Sequence, residues 1–319
     1  MKRRHLMAGA AGVAAALHAP QLRGQGTRLL RFRPNNDLSI VDPIWSTAFV
    51  VRHHANAVFD TLYGMDNNLN PHPQMVAGHV VEQDGLVWRL TLRDGLKFHD
   101  GTPVLARDCV ASIRRWGTVD AFGQTLMAAT DELSAPSDRE IRFRLKKPFP
   151  MLPNALGKAN TFMPVIMPER LAVTPAGRQV TEMVGSGPYR FLAAERVQGS
   201  RVFYERFADY VPREGRPEFT SGPKIAHFDR LEWVILPDHA TAATALRTGE
   251  IDWYDDPMLD LIATLRRDRR VVVDDYNPAG MMGIIRLNHL HPPFDNPAIR
   301  RAAMGAIDQA TIMQAVAGA

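Results

Sequence analysis

The last third of the chain alternates between strand-like and helix-like patterns, and this limits the possible folds most. Residues 228–236 alternate apolar and polar side chains with the period of two that is typical of a strand. Asp238 stands at the predicted N-cap of a helix over residues 240–247, which Gly249 ends. A strand, a helix and a strand are then predicted at residues 251–254, 257–267 and 271–273. Strand and helix in alternation predict an α/β region.

The middle of the chain, residues 60–150, is richer in strands. Period-two alternation predicts strands at residues 88–92 and 140–145. Thr102 and Pro103 are typical of an N-cap and a first helical turn. The apolar stripe of the helix that would follow contains Leu105, Cys109, Ile113 and Trp116. Earlier in the chain, a first strand is predicted at residues 28–33 and a helix at residues 47–62.

Composition excludes several classes of protein. The 319 residues are 45% hydrophobic and 23% charged, which is ordinary for a globular chain of about two domains. Cys109 is the only cysteine, so neither an intrachain disulfide nor a zinc site built of thiolates can form. The net charge is +4, and three of these charges are Lys2, Arg3 and Arg4, so the rest carries +1. That balance gives no electrostatic case for nucleic acid.

The N-terminus has the pattern of an export signal. The three basic residues precede a short apolar run at residues 6–17 and small residues near a cleavage point. The run is too short to cross a hydrocarbon core of about 30 Å. We expect removal of residues 1 to about 19–26 and a periplasmic location. Arg3 and Arg4 partly match a twin-arginine signal, and the sequence leaves this route and the general secretory route open.

Separated motifs along the chain resemble one family. The longest reads WRLTLRDGLKFHDGTPVLARDCVAS at residues 88–112. Shorter blocks follow in the same order at residues 147–149, 185–191, 246–252, 286–288, 292–296, 299–302 and 306–308. Together they are similar to the extracellular solute-binding proteins of peptide and nickel ABC importers, the dipeptide- and oligopeptide-binding family.

The resemblance implies an α/β, two-lobe fold of the periplasmic-binding-protein type, with an inserted strand-rich domain and a hinge that closes around the ligand. Lobe I would contain residues 27–55 and 180–276, the insert residues 56–179, and the start of lobe II residues 277–319. Members of the family continue well past this length, so most of lobe II would be missing.

The same resemblance implies transport. The expected role is to capture a small peptide or peptide-like solute and deliver it to an inner-membrane ABC permease. The chain would act as a monomer without a cofactor, a nucleic-acid partner or a membrane-embedded segment. Capture of another solute, such as a nickel chelate, haem, an opine or a sugar, remains open. A secreted hydrolase is the alternative from another class.

The ligand site is expected where strands end, because ligands of open α/β sheets gather beyond the carboxyl ends of strands. One such end carries Asn35, Asn36 and Asp37, and the other carries Trp253, Tyr254 and Asp255. Aromatic rings suit apolar contacts, and carboxylates can pair with an ammonium group. The resemblance adds three residues near the cleft: Trp45, Gly185 and Ser186. The sequence leaves one alternative open, in which Trp253 belongs to the core and the two aspartates at 255 and 256 form a solvated turn.

Catalytic and metal sites find little support. Ser186 lacks the spacing of a nucleophile elbow, and the Asp66 turn lacks the glycine and glutamate of a calcium loop. His53 and His54 are adjacent on a predicted helix and therefore face different directions. His99 is interpreted as a structural hydrogen-bonding residue. Two further features, the pair His289 and His291 and the basic run 266–270, are interpreted as a loop and a solvated helix end.

Overall fold

The computed structural model describes residues 27–276 and 283–317. The predicted export signal and the expected start of lobe II at 277–282 lie outside these residues. The strands are β1 (Leu29–Arg33), β2 (Tyr63–Met65), β3 (Pro71–Pro73), β4 (Val76–Glu82), β5 (Val87–Leu92), β6 (Thr130–Ser134), β7 (Glu140–Leu145), β8 (Tyr189–Phe191), β9 (Arg201–Arg206), β10 (Arg230–Val234) and β11 (Trp253–Tyr254). The helices are α1 (Phe49–Val58), α2 (Ala106–Trp116), α3 (Ala121–Ala129), α4 (Leu152–Leu156), α5 (Glu169–Ala172), α6 (His239–Thr248), α7 (Leu259–Arg267), α8 (Pro297–Gly305) and α9 (Gln309–Ala317).

One sheet, here called the mixed sheet, has the strand order β11-β1-β10-β9-β8. Strand β1 pairs in parallel with both β10 and β11, so Phe32 lies opposite Trp233 on one side and Trp253 on the other. Strands β9 and β8 complete the sheet in antiparallel pairing. Helix α1 covers one face, where Val51 and Val58 join the buried cluster that contains Phe32 and Trp233.

A second sheet, here called the antiparallel sheet, has the order β4-β5-β7-β6. Its inner face carries Leu90, Ile141 and Phe143, all fully buried. Helix α2 packs on this face through Cys109, Ile113 and Trp116, as the predicted apolar stripe requires. Burial of large apolar side chains stabilises this layer by about 1.5–3 kcal/mol for each side chain.

The start of helix α2 differs from the prediction. Thr102 is not its N-cap, because its hydroxyl donates to Asp100 Oδ1 at 2.6 Å and Pro103 lies in a β-bridge with Lys97. The helix begins after Leu105, whose backbone N–H donates to Asp108 Oδ2 at 2.8 Å. The Asp100 carboxylate therefore binds the threonine hydroxyl, which is then not available to cap the helix. The Asp108 carboxylate, in the first turn of the helix, caps it instead.

Two other predicted elements change. The helix expected over residues 47–62 ends at Val58, whose carbonyl accepts the N–H of Gly187 at 2.9 Å instead of continuing the helix. The strand expected at residues 271–273 is not formed, and Val272 is 91% exposed. An extended segment needs a neighbouring strand for its backbone hydrogen bonds, and nothing in the described structure pairs with this one.

Residues 207–228 form a long connection that holds the two sheets together. Lys224 Nζ lies 2.9 Å from the buried Asp60 Oδ1, and Tyr210 donates its hydroxyl to Asp60 Oδ2 at 3.1 Å. Met65 donates its backbone N–H to Thr220 Oγ1 at 2.9 Å. These bonds link a segment between β9 and β10 to the connection after α1 and to β2, both of which precede the antiparallel sheet.

Helices α8 and α9 each begin at a side-chain cap. Asn296 accepts the N–H of Ala298 ahead of Pro297, and Asp308 accepts the N–H of Ala310. Among residues 283–316, none is buried. No helix within the described ranges has the length and apolar character needed to cross a membrane.

Candidate functional site

The carboxyl ends of β1 and β11 lie side by side at one edge of the mixed sheet. The parallel register pairs Phe32 with Trp253 and Arg33 with Tyr254, so both strands end at the same level. The residues just beyond them meet there, where Asp255 donates its backbone N–H to the Arg33 carbonyl at 3.0 Å. The topology therefore brings two separate predicted segments into one cluster, as the strand-end rule expects.

Asp255 is the central charge of this cluster. The residue is 6% exposed, and its Oδ2 lies 3.7 Å from Nδ1 of His53 on α1. Burial raises the pKa of Asp255 to about 6, and the charge of neighbouring Asp256 acts in the same direction. The guanidinium groups of Arg33 and Arg52 oppose that rise. A carboxylate held this way gains from any additional cation that reaches it.

Helix α1 contributes the facing wall. Burial lowers the pKa of His53 to about 4, and the charge of Arg52 lowers it further, so the imidazole is neutral at pH 7. The Arg52 guanidinium lies over the Phe49 ring at 4.4 Å from its centroid. Its Nη1 donates to Asn160 Oδ1 at 3.4 Å. This wall therefore presents a cation beside an aromatic ring.

Aromatic side chains border the cluster on its open side. Trp253 is 54% exposed and meets Phe32 edge to face at 5.0 Å between ring centroids. Reading Trp253 as a core residue is therefore wrong, and the solvated-turn alternative holds for the exposed Asp256 but not for the buried Asp255. Tyr276 is 81% exposed, and burial together with the charge of Asp255 raises its pKa.

Tyr254 points away from this cluster. Successive side chains of a strand alternate between the faces of the sheet. Tyr254 is buried, its ring lies under the Arg33 guanidinium at 4.9 Å, and its hydroxyl is 2.6 Å from Nδ1 of His239. Its contacts are those of a structural residue that connects β11 to α6.

Several residues of the predicted site carry a buried polar atom without a hydrogen-bond partner in the described structure. Buried polar atoms are rarely unpaired, and each case needs an explanation such as a bound molecule. The atoms are Asn35 Oδ1, Asp37 Oδ1, Trp45 Nε1 and Ser186 Oγ. By contrast, Asn36 is exposed to solvent.

The Gly185 turn lies at the C-terminal end of α1. A Cβ at Gly185 would come within 2.0 Å of the Val58 carbonyl oxygen, so only glycine fits. His99 donates and accepts within this turn, with Nε2 at 3.0 Å from the Gly187 carbonyl and the Gly185 N–H at 3.4 Å from Nδ1. The structural interpretation of His99 is confirmed. Ser186 is held in this packed junction, and Trp45 packs against the core of the antiparallel sheet.

Sequence reasoning missed four residues of the cluster. Phe49, Arg52 and His53 have the i, i+3, i+4 spacing of one helix face, which was a usable signal because α1 follows the loop after β1. Tyr276 gave no such signal, because it belongs to no helix or strand.

Comparison with known proteins agrees with this architecture. The family model described as bacterial extracellular solute-binding proteins, family 5 middle, matches residues 70–319. A probable peptide ABC transporter periplasmic-binding protein of Sinorhizobium fredii is 38% identical over 100% of this chain and 60% of its own length. The glutathione-binding protein GsiB of Pectobacterium atrosepticum is 26% identical over 98% of this chain and 58% of its own length.

The fold is also similar to that of a solved structure. The periplasmic binding protein DppA of Helicobacter pylori, in complex with the peptide STSA, aligns with a TM-score of 0.73 and 24% identity over 91% of this chain and 58% of that protein. The predicted α/β fold of the periplasmic-binding-protein type is confirmed. The chain spans about 60% of the length of the curated relatives named here. Because the family model covers most of the sequence and the fold agrees with it, the chain belongs to the bacterial extracellular solute-binding proteins of family 5.

Proposed function

We propose that the chain is part of the solute-binding component of an ABC importer, which captures a peptide-like solute by hinge closure and delivers it to an inner-membrane permease. The observation that carries this proposal is the exposed Trp253 beside the buried Asp255 at the carboxyl edge of two parallel strands. An open aromatic ring and a desolvated carboxylate suit a ligand with apolar side chains and an ammonium group. The names of the two relatives, one peptide-binding and one glutathione-binding, support the same class of solute.

The remaining site residues belong to this proposal with different roles. The unpaired polar atoms of Asn35 and Asp37 suit hydrogen bonds to the solute. Trp45, Gly185 and Ser186 suit the margin of the cleft, where packing against α1 and the core holds them. Asn36 and Tyr254 are less suited to contact the solute. Asn36 is exposed to solvent, and Tyr254 is buried on the opposite side of the sheet.

The division into lobes is also a proposal. The mixed sheet takes its strands from residues 29–33 and 189–254, which supports a discontinuous lobe I of residues 27–55 and 180–276. The antiparallel sheet takes its strands from residues 76–145, which supports an insert of residues 56–179. Residues 277–319 would begin lobe II.

Export to the periplasm completes the proposal, with removal of residues 1 to about 19–26. N-terminal sequencing of the periplasmic form tests it, and a mature chain that begins at Met1 would contradict it. Replacing Arg3 and Arg4 by lysine separates the routes, since export that survives the change argues against the twin-arginine pathway.

Titration with dipeptides, followed through the indole N–H signals of the five tryptophans by NMR, tests ligand capture. The method detects millimolar binding, and Trp253→Phe assigns the signal of the site. We expect the Trp253 signal to shift, and Trp253→Ala to weaken binding. Phe219→Ala, which removes another exposed ring, is the matched control and should bind as the unmodified chain does. Absence of any shift with all dipeptides would refute capture by this chain.

A further inference from the structure

Two arginines meet on one backbone carbonyl, where the antiparallel sheet adjoins the connection of residues 207–228. The carbonyl oxygen of Gln74 accepts a hydrogen bond from Arg93 Nε at 2.8 Å and another from Arg213 Nη1 at 3.2 Å. The two donor nitrogens are therefore no further apart than the sum of these distances. Both side chains are half-buried, so solvent screens their repulsion only in part. Burial and the charge of Arg93 together lower the pKa of Arg213.

No carboxylate balances these two charges within the described ranges. Neither guanidinium has a carboxylate oxygen within 4.0 Å, and Glu214 and Glu218, two acids of the connection, pair with neither arginine. The other acids of the adjoining segments are occupied by different cations: Asp94 pairs with Arg139 at 2.6 Å, Asp209 with Lys97 at 2.7 Å and Asp60 with Lys224 at 2.9 Å. The fold therefore keeps two neighbouring cations without a counter-ion.

Both guanidinium groups also keep donors for a further acceptor. A guanidinium carries five N–H groups in a rigid fork. Arg213 donates from Nη1 alone, to two carbonyl oxygens, so its Nε and Nη2 have no hydrogen bond to the described residues. Each terminal nitrogen of Arg93 donates once, to the carbonyls of Val211 and Pro212, and so retains a second N–H. Free N–H groups on two adjacent guanidinium groups suit the oxygens of a phosphate-like anion.

We propose that Arg93 and Arg213 bind a small, doubly charged oxoanion, such as free phosphate or sulfate, at a site that shares no residue with the strand-end cluster. A dianion neutralises both guanidinium groups, whereas a monoanion would leave one charge unbalanced. Because both side chains are half-buried, a free ion reaches them more readily than a headgroup in a bilayer does. Arg93 directly follows β5 and Arg213 lies in the connection, so the bound ion would hold the connection against the antiparallel sheet.

A phosphate titration, followed by NMR of the ¹⁵N-labelled arginine side chains, measures binding directly. We expect the Nε–H signal of Arg213 to shift and to saturate, because this group has no partner in the described structure. Arg213→Lys assigns the signal. This variant keeps the charge but lacks the fork, so it should bind phosphate about tenfold or more weakly.

Thermal unfolding in sulfate and in chloride, at equal ionic strength, tests the effect on stability. At about ten times its dissociation constant, sulfate should raise the unfolding temperature by about 2–4 °C more than chloride does. Sulfate also stabilises proteins through exclusion from their surfaces, so the relevant quantity is the part of the rise that Arg213→Gln removes. Arg216→Gln changes an exposed arginine of the same connection and is the matched control, which should keep the whole rise.

Three results would overturn the inference. The first is a shift of the Arg213 signal that does not saturate or that chloride reproduces, and the second is a sulfate effect that persists in Arg213→Gln. The third is sedimentation with phosphatidylglycerol vesicles that depends on Arg213 while free phosphate has no effect, which would assign the site to a lipid headgroup. The titration uses the unmodified chain, so it decides the question even where a variant does not fold. Solute capture at the strand-end cluster does not depend on the outcome.

Discussion

Trp116 and Trp253 show how the two sheets differ. Trp116 packs under the antiparallel sheet with 1% exposure, and its indole N–H donates to the Phe162 carbonyl at 2.6 Å. Trp253 begins β11, the edge strand of the mixed sheet, and is 54% exposed. The antiparallel layer buries the Trp116 ring and pairs its indole N–H, whereas the carboxyl edge of the mixed sheet leaves the Trp253 ring open. The same residue type therefore serves stability in one region and is available for binding in the other.

Charged residues repeat this contrast. Asp42 and Arg115 form a fully buried ion pair that ties the connection after β1 to helix α2. Asp42 Oδ1 accepts from Arg115 Nη1 at 3.2 Å, and Oδ2 accepts from Arg115 Nη2 and from the N–H of Val180 at 2.8 Å, so both oxygens are occupied. Asp255 is almost as buried, but the described residues give its carboxylate no ion pair with an arginine or lysine, and the neutral His53 lies 3.7 Å away. The difference indicates that one carboxylate is saturated by the fold and the other retains capacity for a ligand.

The two tryptophans give the largest expected difference in stability. Trp116→Ala should lower the free energy of unfolding by about 3–5 kcal/mol, because it leaves a cavity in the core. Trp253→Ala should change it by about 0.5 kcal/mol or less, because its ring is largely solvated. Urea denaturation of both variants measures the two values. Similar losses would mean that the open edge is as important for folding as the core.

The two aspartates should differ next. Asp42→Ala leaves the Arg115 guanidinium buried without its partner and should cost about 3 kcal/mol or more. Asp252→Ala, which removes an exposed partner of Arg31, is the control and should cost at most about 1 kcal/mol. Chemical denaturation at pH 7 compares them. A small loss for Asp42→Ala would contradict the assignment of a saturated buried pair.

Asp255→Asn should act in the opposite direction and stabilise the chain at pH 7. The folded pKa of about 6 lies above that of the unfolded chain, so the folded state holds this proton more tightly. The contribution of Asp255 to stability is greatest below about pH 4 and is lost as pH rises toward 6. The variant should therefore gain up to about 3 kcal/mol at pH 7 and nothing at pH 3. A gain that is independent of pH would exclude desolvation as its cause.

The smallest expected effect concerns the start of α2. Asp108→Ala should cost about 1 kcal/mol, because Asp108 accepts the N–H groups of Leu105 and Glu169. Thr102→Ala should cost about 0.5 kcal/mol or less, since its hydroxyl bonds only to the exposed Asp100. Thermal unfolding of the two variants distinguishes them. A larger loss of stability for Thr102→Ala than for Asp108→Ala would indicate that Thr102 is the N-cap, as the sequence predicted.

Local signals predicted many of the elements because their chemistry is complete within a few residues. Asp238 caps α6 and Gly249 ends it with a φ of 77°, as expected. Two predicted features are wrong because of the residues that lie near them in space. Asp100 accepts the hydroxyl of Thr102, so that Thr102 does not cap α2. Residues 271–273 have no strand beside them in the described structure.

The candidate site was predictable only in part. The rule that ligands gather beyond strand ends indicated Asn35 and Asp255, and the structure places these two side by side, while ligand binding stays a prediction. The rule could not tell that Tyr254 faces away or that Phe49 and Arg52 complete the cluster. Those facts depend on which face α1 covers and on how far β11 extends before its turn.

Sequence alone therefore determined the family, the α/β character and the caps, because periodicity, motifs and short-range hydrogen bonds depend on residues that are close together in the chain. Tertiary structure alone decided that β1 lies between β10 and β11, which brings residues more than two hundred positions apart into contact. It also decided that Arg115 would meet its carboxylate and that Arg52 would not. The physical reason is that burial and electrostatic pairing depend on distances in space, which only the packed sheets and helices set.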